Sequence, residues 1–93
     1  MPYIKPEDRT QWKSVIEQIE LRVEDLKENE IEGNLNYLIT SILKRIYPPK
    51  YYQYNKVMGL LECIKQEFYR KVIGPYEDTK IKENGDVEWK ELI

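Results

Sequence analysis

Apolar residues recur at three- and four-residue spacing in three separate stretches, and each stretch predicts an amphipathic helix. In the first, Trp12, Val15, Ile16, Ile19, Val23 and Leu26 share one face, while Leu21 points the other way. Pro6 suits a first helical turn, Glu7 and Asp8 lie beside its positive end, and Thr10 offers a second cap, so the helix is predicted to begin between Lys5 and Thr10. The polar run Glu28 to Gly33 reads as a connection, with Asn34 capping the second helix. That helix carries Leu35, Leu38, Ile39, Ile42, Leu43 and Ile46, and Pro48–Pro49 ends it because proline disfavours helix at the residue before it.

The third helix is predicted to start near Gln53 and run to Ile73, with Tyr54, Val57, Leu61, Ile64, Phe68 and Val72 in one sector and Met58 at its edge. Lys65, with Glu62 and Tyr69 at helical spacing, borders that sector and suits either a structural ion pair or a pocket wall. Gly74-Pro75 is expected to break the helix, and Pro75 to restart a short turn. Asn84-Gly85 signals a type I′ turn that would pair Lys80–Glu83 with Asp86–Lys90 as a hairpin. That pairing sets Val87 and Trp89 opposite lysines, so a helix capped by Gly85 and followed by an extended tail stays open.

These elements predict a mainly α single domain over residues 1–93, a three-helix antiparallel bundle with a short C-terminal hairpin or extended tail. A chain of 93 residues gives a slight core, so assembly of copies into a homo-oligomer is expected. Charged residues at 34% and hydrophobic ones at 41% suit a folded helical chain rather than a disordered one. No apolar run reaches the roughly 20 residues that span a bilayer, and the start has no signal-peptide core, so no membrane association and a cytoplasmic location are expected.

The chemistry available is narrow. With no histidine and one cysteine, Cys63, the chain lacks an internal disulfide, a Ser-His or Cys-His nucleophile pair, and thiolate or imidazole metal sites. A carboxylate-held Mg²⁺ stays compatible with the composition. The four glycines never cluster into a phosphate loop. The chain is therefore expected to be no enzyme and to carry no cofactor. Its net charge of −2 hides an asymmetry: Glu17–Glu32 holds seven acids, whereas Gly33–Leu61 holds none and carries Lys44, Arg45, Lys50 and Lys56. Such a local cation field suits a small anion or an acidic partner better than duplex DNA, or it simply faces the acidic segment.

Tyr47–Lys56, YPPKYYQYNK, adds four tyrosines and two lysines without an acid. Rings stack on bases while lysines hold phosphate; equally, such a stretch closes the end of a bundle with its hydroxyls in water. The candidate ligand-binding set is Asn36, Tyr37, Tyr54, Lys56, Lys65, Tyr69 and Arg70, with Lys56, Lys65 and Arg70 on phosphates and the tyrosines on bases.

The blocks MPYIKPEDR, GNLNYLIT, GLLECIKQEFYRKVIGPYED and KIKENGDV together resemble a family of small, largely uncharacterised proteins of bacteria and their phages and prophages. The resemblance spans most of the chain apart from Gln11–Ile31 and Tyr47–Lys56, and WKELI at the end departs from it. It implies an intracellular, phage-associated protein and carries no catalytic residues. Together these readings lead to a non-enzymatic oligomer that binds a small anionic nucleotide-like ligand, in a phage setting a counter-defence sponge for an immune signalling nucleotide. The alternative is an adaptor that docks on a host or phage protein through Trp12, Trp89, Leu21 and its tyrosines. A ligand binder should gather several of the named bases in a polar pocket. An adaptor should expose an apolar patch.

Overall fold

The computed structural model describes residues 4–87. The protein is mainly α, built from three helical runs, with no strand among the described residues. It divides into two units, Met1–Pro49 and Lys50–Ile93.

In the first unit, α1 spans Pro6–Glu24 with proline in its opening turn and Glu7 and Asp8 beside its positive end. Thr10 caps nothing; its hydroxyl donates back to the Glu7 carbonyl at 3.2 Å. The helix closes as the amides of Asp25 and Leu26 reach the carbonyls of Arg22 and Val23. Lys27 then turns extended, and α2 runs Glu28–Ile46.

The second helix thus begins six residues before the predicted Asn34 cap. The reason is local: the Glu30 carboxylate accepts the Lys27 amide at 3.0 Å, satisfying a donor at the helix start, and Glu28 and Glu30 both favour its positive end. Gly33 and Asn34 therefore lie inside the helix, where the Asn34 side chain donates to the Glu30 carbonyl at 2.8 Å. Tyr47 is extended, as Pro48 demands, and the helix ends there.

The second unit is a continuous helical run. Lys50 is extended and its carbonyl accepts the amides of Gln53 and Tyr54 at 3.0 Å each, so α3, Tyr51–Phe68, starts two residues earlier than Gln53. The expected break at Gly74-Pro75 does not occur. A π-turn over Tyr69–Ile73 carries the chain straight into α4, Gly74–Asn84. In an α-helix the ring of Pro75 would strike the carbonyl four residues back. Widening that turn, so that the Gly74 amide reaches the Tyr69 carbonyl five residues back, relieves the clash.

The hairpin is likewise replaced, because Lys80–Asn84 belongs to α4. Gly85 ends that helix at φ 81°, ψ 153°, a conformation reserved for glycine, with its amide bonded to the Ile81 carbonyl at 2.8 Å. Trp89, Leu92 and the rest of the proposed second hairpin arm fall outside the described residues.

The stripes exist as predicted, yet no described residue is buried. Ile19, Val23 and Leu26 are half-buried, as are Leu35 and Leu38, whereas Trp12, Val15 and Ile16 stay exposed. On α3 the half-buried positions are Gln53, Val57, Leu60, Cys63 and Glu67, and the predicted core residues Tyr54, Leu61, Ile64 and Phe68 are open.

Two glycines make this account testable. A methyl at Gly59, inside α3, would meet nothing within 4 Å, so Gly59→Ala should raise stability by about 0.5–1 kcal/mol in urea unfolding followed by circular dichroism. Gly85→Ala should lower it by about 1 kcal/mol or more, because its positive φ strains any other residue. Loss of stability at 59 would mean that another backbone approaches that point.

Candidate functional site

The seven candidate residues divide between the units, Asn36 and Tyr37 in the first and the other five in the second. In the first unit, Asn36 has its side-chain carbonyl occupied by the Thr40 hydroxyl at 3.1 Å, one helical turn on. Tyr37 joins Arg22, Asn34 and the apolar Ile19, Val23, Leu26, Leu35 and Leu38 around an open cleft of about 450 Å³ where α1 meets α2. Arg22 is the one cation there, and sequence reasoning did not single it out.

In the second unit, Lys65 and Tyr69 line one open groove of about 610 Å³ with Ile64, Gln66, Phe68 and Ile73. Tyr54, Lys56 and Arg70 do not line it. Lys56 instead lies over the ring of Tyr52, 5.6 Å from its centre and one turn away, a cation–π contact repeated by Lys80 on Tyr76. Lys65 forms no ion pair with Glu62 among the described residues; the Glu62 carboxylate accepts from Gln66 Nε2 at 3.0 Å.

Acids hold two of the remaining groups. The guanidinium of Arg70 donates to both carboxylate oxygens of Glu67, at 3.1 and 3.3 Å. The Tyr69 hydroxyl donates to Glu77 Oε2 at 2.9 Å. The second contact is a product of the π-turn. On a plain helix the residue seven positions on returns to the same face, and one inserted residue moves that place to the eighth, which is Glu77. No spacing rule for a regular helix would pair the two. Beside this carboxylate, which accepts the phenol's proton and repels a phenolate, Tyr69 titrates above its ordinary 10.0; slight desolvation and the charge of Asp78 act in the same direction.

These arrangements supply no nucleophile pair, and no cluster of three metal-ligating side chains exists among the described residues. A phosphate arriving at Arg70 or Tyr69 would have to displace or lie beside a carboxylate. The two open features that hold candidate residues are mostly apolar walls carrying a single cation each, Arg22 in one and Lys65 in the other.

The chain matches the family described as Domain of unknown function (DUF6899) over residues 1–87. It belongs to that family. No curated protein and no solved structure matches the chain. Membership agrees with the resemblance to an uncharacterised family and leaves activity to be argued from the side chains themselves.

The Tyr69–Glu77 contact has a measurable signature. The folded chain holds the phenol proton more tightly than the unfolded chain, so the contact's stabilisation is fully present below pH 10.0 and is lost as pH rises through the raised value. In difference titrations of phenolate absorbance between the parent and Tyr69→Phe, the missing signal should lie above that of an ordinary tyrosine. Glu77→Gln should bring the Tyr69 titration down towards 10.0.

Proposed function

We propose that this chain is a non-enzymatic helical interaction module that works by laying its apolar helix faces on another protein chain. The observation that carries this reading is the absence of any buried side chain among the described residues, while tryptophan, leucine, isoleucine and phenylalanine stand open on three helical runs. Soluble proteins keep large contiguous apolar faces where something docks. Trp12 and Leu21 lie on α1 and are both exposed, as an adaptor surface requires. No described helix is long and apolar enough to cross a membrane, so lipid spanning does not account for these faces. In a phage-associated setting the docked chain would be a host protein, a phage protein or another copy of this one.

A second reading is capture of a small anionic nucleotide-like ligand, in the manner of a counter-defence sponge. One observation favours it: Lys65 and Tyr69 share the groove that borders the apolar face of α3, so assembly of copies would repeat the pair around an axis. The carboxylates of Glu67 and Glu77, already engaged with Arg70 and Tyr69, oppose it. Docking of an apolar face needs no such competition.

Dilution separates a module of this kind from a self-sufficient domain. At low micromolar concentration the isolated chain should bind an apolar fluorescent dye and melt with poor cooperativity, because its faces are uncovered. Cooperative, concentration-independent melting without dye binding would overturn the interaction reading. For the ligand reading, a panel of cyclic and linear nucleotides should raise the melting temperature of the parent, and Lys65→Ala should abolish that rise.

A further inference from the structure

We propose that the π-turn is a hinge and that the Tyr69–Glu77 hydrogen bond is its latch, holding α4 in line with α3. Every atom involved lies between Tyr69 and Glu77, inside one unit, so the hinge is independent of what covers the apolar faces.

Two known causes of helix kinking, a proline and a π-turn, meet here, and a glycine adds backbone freedom beside them. The backbone ladder is thin at the same place. Residue 75 would serve the Lys71 carbonyl in an α register and the Arg70 carbonyl in a π register, and proline, having no amide, serves neither.

Gly74 defines the two positions of the hinge. It is helical, at φ −54° and ψ −54°, although a residue before proline is disfavoured there and prefers extended backbone. Lys5 and Tyr47, which also precede prolines, both take the extended form, at ψ 150° and 120°. With no side chain, Gly74 passes between the two conformations at little steric cost. In the helical setting α4 continues α3. In the extended setting the chain leaves the helix, as it does at Tyr47 where α2 ends.

A bond across the turn sets Gly74 against that preference. The Tyr69 hydroxyl donates to Glu77 Oε2 at 2.9 Å, joining the start of the π-turn to the first turn of α4. Neighbouring side-chain contacts stay on one side of the turn: Arg70 reaches back to Glu67, whereas Lys80 lies over Tyr76 and pairs with Glu83 within α4. The acceptor is a carboxylate and the phenol titrates above 10.0, so the latch is closed at neutral pH. A basic side chain of a partner that takes Glu77 opens it, which couples docking there to reorientation of α4.

Pulsed dipolar measurement of the distance between spin labels at Asn55→Cys and Lys82→Cys, in a Cys63→Ser chain diluted with unlabelled protein, tests the hinge. Both positions are exposed, and a continuous helix sets them roughly 40 Å apart. The parent should give one narrow distance distribution. Tyr69→Phe and Glu77→Ala should each broaden it and add shorter distances, with most helicity kept in circular dichroism. Glu77→Gln, whose amide oxygen still accepts the phenol proton, should stay narrow. Adding Pro75→Ala to Tyr69→Phe should restore the narrow distribution, because alanine supplies the missing amide. If Tyr69→Phe fails to fold, Glu77→Ala carries the comparison, since alanine favours helix. A parent that is already broad, narrow distributions in both latch variants, or broadening that Pro75→Ala leaves in place overturns the proposal.

Discussion

A helix with one greasy face has no interior of its own, and that constraint governs this chain. Each of its helical runs carries such a face, yet no described side chain reaches burial. Hydrophobic stabilisation scales with apolar area removed from water, at about 25 cal/mol per Å². Half-covered leucines and isoleucines therefore contribute only part of what a core would, while ordering each residue costs about 1–2 kcal/mol of backbone entropy. Covering those faces with more protein would add the burial that the described helices lack.

The second unit shows how a single proline is absorbed without ending a helix. Pro75 removes an amide and brings a ring against the preceding turn. The π-turn makes room for it, the Gly74 amide reaches back to Tyr69, and the helix continues to Asn84. Rotating the register by one residue also sets the Tyr69 phenol on the Glu77 carboxylate, a bond that ties the two sides of the widened turn together. Tyr69 is thereby explained by the backbone geometry around it, without appeal to a ligand.

The same proximity of acids weakens an anion site built from this chain alone. Arg70, the strongest phosphate donor in the candidate set, already holds both oxygens of Glu67, and Lys56 lies over Tyr52. Bidentate donation is how arginine grips a phosphate, so a ligand would have to replace an existing pair rather than fill a waiting one. Apolar docking has no such competitor.

The sequence by itself determined that the chain is helical and where its apolar faces lie. Leu35 to Ile46 and Tyr54 to Phe68 could be read from periodicity because a 3.6-residue turn imposes it locally. The stop at Pro48 and the glycine end at 85 were legible for the same reason: each follows from one residue's own backbone limits. Local bonding misled where two signals competed, so Glu30 started α2 ahead of Asn34, and a helix overrode the Asn84-Gly85 turn. Only the tertiary structure decided that Pro75 lies within a helical run, that Tyr69 meets Glu77, and that the predicted core stripe of α3 stands open. Those outcomes depend on register and on which surfaces find neighbours, and spacing along a chain specifies a face without specifying what lies against it.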